Sequence, residues 1–213
     1  MKTYINKIIQ MQQKTKSQYR NLFKLFKQYF NLYGGWSSLF SSPSFHFAFI
    51  LTFFLFHFWL YKKWWEIPIN VLPNLMGFSI TGYAIWLAFG DKFFQYKLAI
   101  IENNNKRTPY LKISSVFAHF VIVQAIALTL AIIAKALDFT PSINPKSINI
   151  IQKLVPVGNA IGFFFFLYAI FTAFPSILRL FKISTDFSTY INNHRREDKD
   201  NNFGDSDNLR EHS

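Results

Sequence analysis

The sequence predicts an all-α integral membrane protein: a four-transmembrane-helix bundle preceded by a basic amphipathic helix at the membrane interface. Three observations predict it. Apolar residues collect into four long runs that contain no Asp, Glu, Lys or Arg. Basic residues concentrate between alternate runs. The segment ahead of the first run places aromatic and basic side chains on opposite faces of a helix. A soluble chain with the same 51% hydrophobic content would instead spread its apolar residues at helix or strand period.

Residues 1–34 form a unit of their own that ends at Gly34-Gly35, where a helix is poorly continued. At 100° per residue Tyr19, Leu22, Phe23, Phe26, Tyr29, Phe30 and Tyr33 share one face. Lys16, Arg20, Lys24 and Lys27 share the opposite one and are the expected contacts to lipid headgroups. Each basic side chain that reaches an anionic surface contributes about 1 kcal/mol. The competing reading is a helix held against a partner's cytoplasmic domain. No apolar run occurs in the first 40 residues, so no cleavable signal peptide is expected.

The four runs are Phe45 to Tyr61, Ile67 to Gly90, Ile113 to Ala134 and Leu154 to Leu178. A helix needs about 20 residues to cross the hydrocarbon core, so each can span and the first is near the minimum. Ser42-Pro43 supplies the start of the first. The five-residue outer connection from Lys62 to Glu66 predicts that the first two spans form an antiparallel pair. Trp59, Tyr61, Trp64 and Trp65 read as an interfacial belt, and the Phe-rich first and fourth runs as lipid-facing rings. Gly90-Asp91 is expected to end the second span. The outer loop from Asp138 to Lys153 carries Pro141 and Pro145, and the tail is expected to be disordered after about residue 191.

Lys and Arg resist translocation, so their distribution orients the bundle. Eighteen of the 23 lie in the head, in the loop between spans two and three, and in the tail; five lie in the other two loops. Both termini are therefore expected in the cytoplasm, and the cell inner (plasma) membrane is the expected location. The net charge of +12 is that of a positive-inside protein beside anionic lipid, with no nucleic-acid partner required.

Polar residues inside spans are costly, so function is sought there. Asn74, His119, Gln124 and Asn159 either bond between helices or line a common polar cavity. Gly77, Gly82, Ala127, Ala131, Gly158 and Gly162 are the expected helix-packing positions, because small side chains let membrane helices approach closely. No ionisable carrier of the Asp, Glu, Lys or Arg type lies in a span, which argues against a secondary active transporter. There is no cysteine, and no HExxH, GxSxG or phosphate-cradling loop. His46 and His57 lie three turns apart, about 16 Å, too far to share a metal. No enzyme activity, cofactor or metal is expected.

The layout is similar to that of compact four-helix membrane effectors in bacterial defence and toxin systems. That resemblance implies a self-associating protein that forms a pore or perturbs the bilayer. The alternative is a non-enzymatic membrane scaffold or accessory subunit that recruits a cytoplasmic partner through its head and tail.

Overall fold

The computed structural model describes residues 2–88, 92–99, 108–138 and 145–211. The expected stop at Gly90-Asp91, the polar loop through residues 100–107 and Pro141 lie outside the described residues. Among the described residues the chain is helical throughout, joined by short turns and without strand. The helices are α1 (Lys2–Tyr33), α2 (Gly35–Phe40), α3 (Pro43–Phe54), α4 (Phe56–Tyr61), α5 (Glu66–Ala88), α6 (Lys92–Ala99), α7 (Pro109–Leu137), α8 (Pro145–Phe171) and α9 (Ala173–Glu211).

Three helical stretches are long and apolar enough to cross a membrane: Glu66–Ala88, Pro109–Leu137 and Leu154–Asn193. The first predicted span is instead divided at Leu55, leaving α3 as a shorter apolar helix followed by α4. The cause is a side chain. Trp59 Nε1 donates to the Thr52 carbonyl at 2.8 Å, so the acceptor that would continue the helical ladder to Phe56 is taken by an indole one turn further on.

α7 starts at Pro109, ahead of its apolar run, because Thr108 caps it: its hydroxyl accepts from Leu111 N at 3.3 Å, and Pro109 fills the first turn at no cost in hydrogen bonds. Helix α7 is the centre of the bundle, with α5 and α8 packed against it. α3 and α4 pack against α8, not α5, so the expected pairing of the first two apolar segments gives way to a different order. The short connection between them is filled by Trp64 and Trp65, which are 0% and 7% exposed. These two were expected at the lipid interface. They enter the core instead, where Trp64 lies against Phe163 and over Gly162 of α8. Phe163 and Phe166 are buried as well, whereas Phe49, Phe53 and Phe56 point outward as the run's composition predicts.

The interruption between α8 and α9 at Thr172 also has an identifiable cause. Pro175 has no N–H, which leaves the Phe171 carbonyl without its helical donor. Ser44, at the start of α3, donates its hydroxyl to that carbonyl at 3.1 Å. Ser44→Ala should therefore cost about 1 kcal/mol, and the cost should fall in a Pro175→Ala background, where a backbone N–H is restored. A double-mutant cycle on thermal unfolding in detergent checks this.

α1 ends where Gly34 adopts φ 115°, a left-handed conformation, and Gly35 follows at φ 67°. Its last turns pack on α7, while Tyr19, Leu22, Phe23 and Phe26 are exposed, as are Lys16, Arg20, Lys24 and Lys27. α9 continues as helix to Glu211, beyond the point where composition predicts disorder. Its first half is anchored by Ile183 in the core and by Phe187 and Tyr190 against Phe94 of α6. Extending a helix nucleated in this way is far easier than starting one.

Candidate functional site

Polar side chains gather at two places inside the bundle. The larger is centred on His119, which is 5% exposed and sits where α1, α7 and α8 meet. Its Nδ1 is 2.6 Å from Tyr29 Oη, and its Nε2 is 2.8 Å from Tyr168 Oη. The Tyr33 ring stacks on the imidazole with centroids 3.9 Å apart and planes at 18°. The imidazole therefore bridges Tyr29 of α1 and Tyr168 of α8, with the Tyr33 ring lying over it.

A neutral imidazole has one donor and one acceptor nitrogen, so one of the two tyrosines bonded to it donates while the other accepts. Burial pushes the Tyr29 and Tyr33 hydroxyls above the ordinary tyrosine range. For Tyr29 the nearby Tyr33 phenol adds to that; for Tyr33 the nearby Tyr168 hydroxyl and the charge of Arg179 oppose it in part. Both hydroxyls are therefore protonated at neutral pH and available as donors. The arrangement pairs both imidazole nitrogens with no carboxylate among its members, and it ties the end of α1 to α7 and α8. Chemically it acts as a latch.

The second place is a pair. Gln124, fully buried on α7, donates Nε2 to Ser79 Oγ at 3.0 Å. The Ser79 hydroxyl lies 3.2 Å from Gln124 Oε1 and 2.6 Å from the Leu75 carbonyl of its own helix. This bonds α5 to α7 across the core.

Of the four polar residues singled out from the sequence, His119 and Gln124 thus take separate sets of partners. Asn74 is exposed on α5 and Asn159 is half-buried on α8. Among the packing positions, Ala127 and Ala131 are fully buried. A Cβ added at Gly162 would meet the Trp64 ring, whereas one added at Gly77, Gly82 or Gly158 would meet open space. Among the described residues no three His, Asp or Glu side chains come together as a metal site.

Sequence reasoning missed Tyr29, Tyr33, Tyr168 and Ser79 as partners. The available signal was the pair of tyrosines four residues apart on the apolar face of α1, whose hydroxyls need partners if that face is buried. No protein-family model, curated protein or solved structure matches the chain.

Proposed function

We propose that the chain is a small polytopic protein of the cell inner membrane that self-associates and acts as a pore-forming or membrane-perturbing effector, without enzymatic activity. In this reading α3 and α4 together make the fourth crossing, about 28 Å along their combined length. Both termini are cytoplasmic, and the basic face of α1 lies on anionic lipid.

The observation that carries the reading is Asn74. It lies about 12 Å into α5, on an exposed face beside Gly77, and its side chain makes no hydrogen bond within the chain's described residues. An amide in hydrocarbon without a partner is costly, and a second copy of the same face supplies one. Gln124 and His119 are engaged within the monomer, so conduction in this reading belongs to an assembly of several copies.

Asn74→Leu should weaken self-association roughly 5- to 30-fold, corresponding to about 1–2 kcal/mol per interhelical contact. Energy transfer between differently labelled copies in vesicles, measured against protein-to-lipid ratio, checks it. A strictly monomeric wild-type chain would overturn the reading.

The second reading is a scaffold that recruits a cytoplasmic partner, supported by the continuation of α9 as a helix to Glu211. Removing the chain after Ile191 should then abolish co-purification of a defined protein while leaving membrane insertion intact.

A further inference from the structure

The division of the first apolar segment has a consequence for the surface of the bundle. Where α3 and α4 meet α8, a groove of about 690 Å³ is left open, within the range of small-molecule binding sites. Phe49, Phe53, Phe56 and Trp59 form one wall, and Ala160 and Phe164 contribute to the other. The lining is almost wholly apolar. The one indole N–H in it is already committed to the Thr52 carbonyl, so no polar donor from Trp59 is left for a ligand.

We infer that this groove is a binding site for one hydrocarbon chain of an anionic phospholipid, with its headgroup at Lys62. Three features select that occupant. The groove lies on apolar helices that the proposed topology places in the bilayer, so lipid chains are the molecules that meet it. A second transmembrane helix needs small residues to bring its backbone near, and the groove is instead lined mostly by bulky rings, with a single alanine. A thin, flexible chain can thread between such rings where a helix about 10 Å wide cannot. Finally, Lys62 directly follows α4 at the Trp59–Leu60 end of the groove, is exposed, and makes no ion pair among the described residues, whereas its neighbour Lys63 is 3.7 Å from Asp138.

In a bilayer the reference state is already hydrocarbon, so burial alone gives no preference for the groove. Preference comes from shape and from the headgroup charge, which one lysine biases by about fivefold.

The test uses the full chain reconstituted in phosphatidylcholine vesicles with a minor fraction of phosphatidylglycerol carrying a photoreactive acyl chain. After illumination, labelled positions are mapped by mass spectrometry. Labelling should concentrate on residues 49–60 and 160–164, several-fold above Phe78, which is exposed on α5 and serves as the internal reference. Ala160→Phe should lower labelling of the groove several-fold and leave Phe78 unchanged. Lys62→Gln, a surface change that does not threaten folding, should remove the preference over the same probe on phosphatidylcholine. Equal labelling of the groove and Phe78 overturns the proposal. So does a groove protected by covalent capture of a second copy, or an acyl probe that labels it with no dependence on headgroup charge.

Discussion

Gly162→Ala should destabilise the protein by about 1–3 kcal/mol, the usual cost of forcing extra volume into a packed core. The added Cβ would lie 2.7 Å from Trp64 Cζ2 and closer still to Cη2. Trp64 is a rigid bicyclic ring with no exposed surface, held between Phe163 and Trp65, so it has no free direction in which to yield. The unfolding midpoint in detergent should fall by roughly 2–12 °C, taking about 2–4 °C per kcal/mol for a chain of this size. Gly158→Ala, one turn earlier, is the control. There the Cβ meets open space, so the exchange should leave stability unchanged or raise it by up to about 1 kcal/mol through helix propensity. Equal effects at the two positions would mean that Trp64 does not occupy the space above Gly162.

His119→Leu should have an effect at least as large, about 2–4 kcal/mol, and it should be felt in α1 more than in the bundle. The substitution removes both ring nitrogens, leaving Tyr29 without its partner at 2.6 Å and Tyr168 without its partner at 2.8 Å. Each buried hydroxyl left unpaired costs about 1–3 kcal/mol. Tyr33 also loses the imidazole on which it stacks. Backbone amides of residues 26–33 should exchange with solvent faster, and the Gly34-Gly35 turn should become accessible to protease, while α5 and α8 keep their protection. Adding Tyr29→Phe should recover part of the loss, because the orphaned hydroxyl is then gone. Uniform loss of protection would show that His119 supports the bundle generally and does not latch α1.

How much of this was legible in the sequence differs from element to element. The long apolar helices were, since absence of charge over about 20 residues is a property of composition alone. The end of α1 at Gly34 was legible because it depends on residues adjacent in the chain; the start of α7 was expected only at Ile113, and the Thr108 cap that moves it to Pro109 was not read from the loop. The break at Leu55 was not legible either. It depends on an indole reaching back seven residues to a carbonyl, and nothing in the hydropathy of Phe45 to Tyr61 encodes that.

The burial of Trp64 was hidden because tryptophan near a span end ordinarily marks the interface; only the glycine beneath it, on a helix about a hundred residues away, makes room for the ring. Gly162 was itself recognisable as a close-approach position, though as a seat for a helix backbone and not for a side chain. At the site, His119 and Gln124 stood out as polar residues in apolar runs. Their partners, Tyr29 and Tyr168 for one and Ser79 for the other, are 90, 49 and 45 positions away and are set by tertiary packing.

The most direct test of the proposed activity is the membrane potential of cells that express the chain at controlled levels, beside cells expressing a form that lacks residues 1–34. A voltage-sensitive dye and an impermeant DNA stain are read together. If the chain perturbs the membrane with its basic amphipathic helix, the full-length form collapses the potential in proportion to its level and the truncated form, inserted to the same extent, does not. An undisturbed potential in healthy cells carrying the full-length protein would contradict the effector reading.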